Sequence, residues 1–103
     1  MFVYKILRGD EWAAFDREGH FAGSADDRRD GYIHLSTASQ TAGTMAKYFA
    51  GEAVTVATLD ADMLGPALRW EESRGGMLFP HLYRVLDRGD VIAVSDAPPP
   101  APA

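Results

Sequence analysis

Four polar side chains lie in strand-like stretches of this chain and are suited to acid–base chemistry. His34 and Ser36 belong to the segment 31–37, and Glu71 and His81 follow later in the sequence. An imidazole exchanges a proton near neutral pH, a carboxylate stabilises developing positive charge, and a hydroxyl donates or accepts a hydrogen bond. Because burial desolvates an imidazole, a histidine inside an apolar strand needs hydrogen-bond partners. We therefore take His34, Glu71 and His81 as the candidate catalytic residues.

The alternation of a β-strand predicts that two of these side chains share one face. Residues two apart in a strand point the same way, so His34 and Ser36 are expected to project together. Thr37, with Gln40 three positions later, has the pattern of a capping box, which predicts that a helix begins directly after the strand. A single strand histidine is more often structural than catalytic, so a functional interpretation requires His34 and His81 to share one cleft.

Hydrophobic patterning predicts the elements that must position these side chains. Apolar, β-branched and aromatic residues predict strands at residues 2–7, 32–35, 54–59, 68–71, 78–86 and 91–94. A first helix is expected from Asp10, as its N-terminal cap, to Gly19, and a second from Thr37 to Gly51. Residues 20–30 combine glycine, serine and charged residues without an apolar period, which predicts a surface loop.

Five or six strands, with both helices in the first half of the chain, indicate an α+β fold. We expect a small, curved, mostly antiparallel sheet with two helices. The length of 103 residues suits a single globular domain, which we place at residues 1–96. Residues 97–103 contain only proline and alanine, which predicts a disordered tail.

Composition excludes several classes of function. The chain has no cysteine, which excludes disulfides, thiol nucleophiles and thiolate metal sites. A formal net charge of -5 argues against a general nucleic-acid-binding protein, because phosphate contacts require a basic surface. No apolar run is long enough to cross a bilayer, and the first residues lack the pattern of an export signal. These features predict a cytoplasmic protein that binds neither nucleic acid nor membrane.

Three motifs in the sequence carry a resemblance to a known family. They are GYIHLST at residues 31–37 with Gln40, LRWE at 68–71 and FPHLY at 79–83. Together they resemble the bacterial family catalogued as domain of unknown function 952, over residues 3–94. The order of strand, helix and a GYIH-type strand leading to a serine is similar, more distantly, to the core of ADP-ribosyltransferases of the poly-ADP-ribose-polymerase type.

The second resemblance implies an ADP-ribosyltransferase-like fold, with NAD as ligand or substrate in a cleft lined by His and Glu. The residues implied to contact the nucleotide are Tyr4, His34, Ser36 and Thr37. Glu71 is implied to stabilise the positive charge that forms on the ribose when the bond to nicotinamide breaks. His81 would add a polar contact or act as a general acid–base.

Two alternatives belong to other functional classes. One is a binding module for a small molecule or a protein, which keeps the cleft without catalysing a reaction. The other is a metal site formed by His34, His81 and Glu71, since two histidines and one carboxylate are the ligand set of open zinc and iron centres. The sequence leaves both alternatives open.

Overall fold

The computed structural model describes residues 1–97, and within them the chain forms eight strands and four helices. The strands are β1 (Phe2–Arg8), β2 (His20–Phe21), β3 (Ile33–His34), β4 (Val54–Asp60), β5 (Leu68–Glu72), β6 (Leu78–Leu82), β7 (Leu86–Asp87) and β8 (Val91–Ser95). The helices are α1 (Gly9–Glu18), α2 (Ala25–Asp30), α3 (Ala38–Tyr48) and α4 (Ala61–Leu64). Single 3₁₀ turns occupy Gly65–Ala67, Arg74–Gly76 and Arg88–Asp90.

The strands form three small antiparallel sheets, with the orders β1-β4-β8, β2-β7 and β3-β6-β5. This confirms the predicted α+β class and the antiparallel pairing, but the single curved sheet that was predicted is divided into three. Strand β3 contains only two residues and pairs with β6 alone, so it does not extend the sheet of β1. The main chains of Tyr4 and Ser36 join the two larger sheets through hydrogen bonds of 2.8 and 2.9 Å.

Two hydrophobic clusters lie on opposite faces of β1, as the alternation of a strand requires. The main cluster includes Val3, Leu7, Phe15, Leu59, Leu82 and Leu86. The second consists of Tyr4, Ile6, Val54 and Val56, against which Met45 and Phe49 pack. Because Met45 lies on α3, the second cluster attaches this helix to the β1-β4 pair.

The prediction of a loop at residues 20–30 was wrong, because this segment contains β2 and helix α2. Helix α2 begins at a reciprocal capping box. The Ser24 hydroxyl accepts a hydrogen bond from the Asp27 main-chain N–H at 3.2 Å, and the Asp27 carboxylate accepts one from the Ser24 N–H at 2.9 Å. A polar helix of six residues has no apolar period to reveal it. Together with α4, it raises the number of helices from the predicted two to four within residues 1–97.

The two predicted helices, α1 and α3, are both present. Helix α1 starts earlier than predicted, with Arg8 rather than Asp10 as its N-cap, and it ends as expected at Gly19, whose φ is 85°. Helix α3 follows Thr37 as predicted, but its C-cap is Phe49 rather than Gly51. Phe49 packs against the second cluster, and Gly51, whose φ is 76°, follows two residues after this C-cap.

Strand β6 is the central strand of its sheet although it contains Pro80. The Pro80 carbonyl accepts a hydrogen bond from the Leu35 N–H at 3.0 Å, so the proline nitrogen faces the same side, where β3 has already ended. The missing N–H is therefore tolerated. No helix within residues 1–97 is long and apolar enough to cross a membrane. Residues 98–103 of the predicted tail lie outside the described residues, and the domain boundary after residue 96 stays a prediction.

Candidate functional site

The two histidines that carry the sequence interpretation face each other on neighbouring strands. Antiparallel pairing of β3 with β6 places His34 directly opposite His81. Residues at such positions project from the same face of a sheet, and the two ring centroids are 5.7 Å apart with an angle of 70° between the rings. Both rings line one cleft of about 180 Å³. The condition set by the sequence, that the histidines share one cleft, is met.

His34 is held between two aspartates. Its Nδ1 lies 2.6 Å from Oδ1 of Asp27, and its Nε2 lies 2.9 Å from Oδ2 of Asp30. The main-chain N–H of His34 also donates to Oδ1 of Asp27 at 3.1 Å. Both ring nitrogens of His34 therefore lie against carboxylate oxygens.

Asp27 is a buried carboxylate that links three elements. Its Oδ2 accepts a hydrogen bond from Nζ of Lys5 at 2.9 Å, and the side chains of Lys5 and Asp27 are only 6% and 2% exposed. Lys5 also donates to the main-chain oxygen of His34 at 3.1 Å. Burial alone would raise the pKa of Asp27, but the hydrogen bond from His34 and the charge of Lys5 outweigh it and hold the pKa well below its usual range. The cluster therefore fixes β1, α2 and β3 in one arrangement.

Sequence reasoning missed Lys5 and Asp27, although both left a signal. Lys5 is a charged residue in the middle of the apolar run from residue 3 to residue 7, at a position whose neighbours in the alternation enter the main core. A charge at such a position requires a buried partner. Asp27 stands three residues after Ser24, in the capping-box spacing that opens α2.

Glu71 orients His81 from the next strand. Register between β5 and β6 pairs Glu71 with Phe79, two residues before His81, so Glu71 and His81 are diagonal neighbours. Oε1 of Glu71 lies 2.8 Å from Nδ1 of His81 and accepts a hydrogen bond from the Tyr83 hydroxyl at 2.7 Å. The hydrogen bonds from Tyr83 and then His81 lower the pKa of Glu71. A carboxylate that accepts from Nδ1 leaves Nε2 of His81 as the ring nitrogen for a ligand.

Aromatic rings enclose His81 on its outer side. The Tyr32 ring stacks on the His81 ring, with centroids 4.0 Å apart and an angle of 28°. Tyr83 lies beside Tyr32 at a centroid distance of 5.3 Å, and the Arg69 guanidinium lies 4.7 Å from the Tyr83 ring. His81 is consequently only 3% exposed. Stacking and the Glu71 contact together restrict the imidazole to one orientation.

Three of the predicted site residues line the cleft, and three lie outside its lining. His34, Ser36 and His81 are among the lining residues of the described chain, whereas Tyr4, Thr37 and Glu71 are not. The Tyr4 ring belongs to the second hydrophobic cluster, although its main chain holds that of Ser36. The Thr37 N–H donates to the Gln40 side chain at 3.0 Å and so closes the cap of α3. Tyr4, Thr37 and Glu71 thus contact other residues of the chain, and their roles toward a ligand stay predictions.

The geometry does not favour a metal centre at this site. Within residues 1–97, no group of three histidine, aspartate or glutamate side chains is placed to hold a metal ion. Nδ1 of His81 faces Glu71, and both ring nitrogens of His34 face aspartates. A metal ligand needs a ring nitrogen whose lone pair is free for the ion, and carboxylate oxygens occupy both nitrogens of His34, whereas the Glu71 contact of His81 leaves its Nε2 free. The predicted alternative of a His34, His81 and Glu71 metal site is therefore set aside.

Comparisons with known proteins agree with the motif resemblance. Residues 6–94 match the family described as Protein of unknown function (DUF952). The crystal structure of protein CC0527 from Caulobacter crescentus is 46% identical, with a TM-score of 0.90, and the match covers 93% of this chain and 85% of that chain. The solution NMR structure of CC0527 is 47% identical, with a TM-score of 0.83, covering 92% and 83%.

No curated protein matches this chain. The matched family and structures carry no description as ADP-ribosyltransferases. The family match extends over most of the chain, from β1 to β8, and includes all three motifs. The chain belongs to the DUF952 family of proteins of unknown function.

Proposed function

We propose that this protein binds an NAD-like nucleotide in the cleft between His34 and His81 and cleaves the bond between nicotinamide and ribose. The observation that carries the proposal is the pair of opposed histidines in one cleft, each in contact with a carboxylate. The motif resemblance to ADP-ribosyltransferases supplies the substrate class. The different contacts of His34 and His81 support a separate role for each histidine.

His81 has the arrangement of a general base. Glu71 occupies Nδ1, so Nε2 is the nitrogen that takes a proton from a water molecule or an acceptor hydroxyl as it attacks C1′ of the ribose. The bond from C1′ to the nicotinamide nitrogen breaks, and its electron pair leaves with the neutral nicotinamide. The proton stays on His81 until product release. Glu71 stabilises the imidazolium that forms, which makes it a positioning residue.

The aspartates around His34 provide the electrostatic part of the reaction. Positive charge develops on the ribose as the glycosidic bond breaks, and a fixed carboxylate nearby stabilises it. Asp30 lines the cleft, and its side chain is 30% exposed, so it is accessible to a ligand. His34 donates to a ribose hydroxyl in exchange for its contact with Asp30. Asp30 thereby takes the role that the sequence resemblance implied for Glu71.

The size of the cleft limits which part of the nucleotide enters. Its volume of about 180 Å³ lies below the ~300–1,000 Å³ typical of small-molecule pockets. Only part of the nucleotide therefore enters the cleft in this proposal, and the remaining groups lie at the mouth. In this proposal the Ser36 hydroxyl, which lines the cleft and shares a hydrogen bond with Thr44 at 3.3 Å, contacts the carboxamide of nicotinamide.

The experiment is to incubate the purified protein with NAD, quantify nicotinamide by chromatography and measure affinity by calorimetry. His81→Asn is expected to lower nicotinamide release by roughly 10²–10⁴-fold while NAD still binds, because it removes the general base. The matched control is His20→Asn, which alters an exposed histidine in β2. Melting temperatures verify that each variant folds. Equal activity of His81→Asn and wild type contradicts the assigned role.

A second candidate function is NAD binding without turnover. The specific observation in its favour is that both ring nitrogens of His34 are already held by carboxylates, an arrangement suited to a structural clamp. Saturable binding with no nicotinamide release assigns the protein to this class. Absence of binding at millimolar NAD contradicts both functions.

A further inference from the structure

The mouth of the cleft is bordered by two walls that carry one arginine each. Asp26 and Arg29 of α2 form one wall, and Arg8, Tyr48 and Phe49 form the other. Because both walls line the same cleft, one ligand can contact both.

The lining of this cleft is less acidic than the rest of the chain. The chain carries a formal charge of -5, yet Lys5, Arg8 and Arg29 line the cleft along with His34 and His81. Three aspartates line it as well, and one of them, Asp27, is neutralised by buried Lys5. Away from the cleft the chain is predominantly anionic. The lining is therefore neutral overall, and an anionic ligand meets less repulsion here than on the rest of the chain.

The two arginines are held by contacts that a ligand can replace. Nε of Arg8 lies 2.9 Å from Glu52, and the two side chains are 40% and 42% exposed. Arg29, 68% exposed, contacts Asp30 at 3.0 Å and Asp26 at 3.2 Å. Exposed ion pairs contribute little to stability, whereas arginine binds phosphate through two parallel hydrogen bonds. The Arg8 guanidinium also lies 4.6 Å from the centre of the Phe49 ring, which restricts its orientation.

We propose that Arg8 and Arg29 bind the phosphate groups of the nucleotide at the mouth, so that the cleft selects a phosphorylated ligand over a nucleoside. The identity of the base and ribose rests on the proposed function, and the phosphate contact does not. Phosphate charge replaces the carboxylates of Glu52 and Asp30 on the guanidinium groups. Release of Asp30 from Arg29 also leaves this carboxylate to the ribose.

The test is calorimetric titration with inorganic pyrophosphate, NAD and nicotinamide riboside, in wild type, Arg8→Gln and Arg29→Gln. Arg8→Gln and Arg29→Gln are each expected to weaken the binding of pyrophosphate and of NAD by roughly 5- to 10-fold and to leave the affinity for the riboside unchanged. Arg8→Lys keeps the charge and is expected to retain most of the affinity. The matched control is Arg17→Gln, which removes a 72% exposed arginine on α1.

The outcomes separate this inference from the proposed function. No binding of pyrophosphate to wild type, or equal affinities in wild type and both variants, overturns the phosphate contact. An equal loss of affinity for the riboside also overturns it, because the arginines would then affect binding of the part of the ligand that has no phosphate. Arginine-dependent binding of pyrophosphate without nicotinamide release supports the phosphate contact and contradicts the cleavage reaction.

Discussion

Replacement of Asp27 by asparagine should destabilise the protein strongly, because it breaks a buried ion pair. Asp27 is 2% exposed and accepts hydrogen bonds from Lys5, Ser24 and His34. Asparagine has nearly the same shape, but its amide group places a donor against one of these donors and leaves the Lys5 ammonium buried without a counter-charge. Removing one partner of a buried pair costs about 3–5 kcal/mol. We expect about 3 kcal/mol, since the asparagine oxygen still accepts one set of contacts.

The assay is urea denaturation at pH 7, with thermal melting as a second measure. A loss of about 3 kcal/mol corresponds to a fall in Tm of roughly 12–24 °C for a domain of this size. The matched control is Asp26→Asn on the same helix, where the side chain is 61% exposed and a change of less than about 0.5 kcal/mol is expected. Both substitutions remove a negative charge near the N-terminus of α2, so a difference in their unfolding free energies measures the effect of burial and ion pairing.

The pH dependence follows from the depressed pKa of Asp27. A carboxyl group whose folded-state pKa is lowered contributes stability that is complete above its ordinary pKa of 3.8 and is lost as the pH falls below it. The difference in stability between wild type and Asp27→Asn should therefore be full at pH 7 and shrink below about pH 4. A loss of less than about 1 kcal/mol of unfolding free energy in Asp27→Asn, no larger than the loss in Asp26→Asn, refutes this reasoning. A stability difference between wild type and Asp27→Asn that does not change with pH refutes it as well.

Two further substitutions test the surroundings of the cleft. Gly23→Ala should lower the free energy of unfolding by more than about 1 kcal/mol in urea denaturation, because φ of Gly23 is 120° and an added Cβ would lie 2.8 Å from Cβ of Asp27. The control is Gly9→Ala, which has open space around it and should be neutral or stabilising. Equal effects of the two substitutions contradict the prediction. Glu71→Gln should lower the raised pKa of the Tyr83 hydroxyl, measured by ultraviolet titration at alkaline pH, because the hydrogen bond to Glu71 is the main cause of that shift; an unchanged titration curve contradicts the contact.

Local signals in the sequence predicted one half of the site. The two-residue alternation of a strand was sufficient to place His34 and Ser36 on one face, and both line the cleft. The spacing of Thr37 and Gln40 predicted the start of α3, because a capping box is formed by residues three apart. In both cases, residues close in sequence determine the structure.

The other half depends on contacts between distant residues. Lys5 and Asp27 are 22 positions apart, and neither has a pattern that identifies the other. The role of Glu71 depends on the register of β5 against β6, which turns it toward His81 instead of the cleft. A shift of one residue in that register would reverse every side chain of the strand, so the sequence alone does not determine its direction.

The most direct test of the shared cleft is an NMR titration of the three histidine rings with NAD. We predict that the imidazole signals of His34 and His81 shift together and saturate at the same NAD concentration. The signals of His20, an exposed residue in β2, should not move. Shifts confined to His20, separate saturation of His34 and His81, or no shift at all at millimolar NAD would contradict a single nucleotide site between the two histidines.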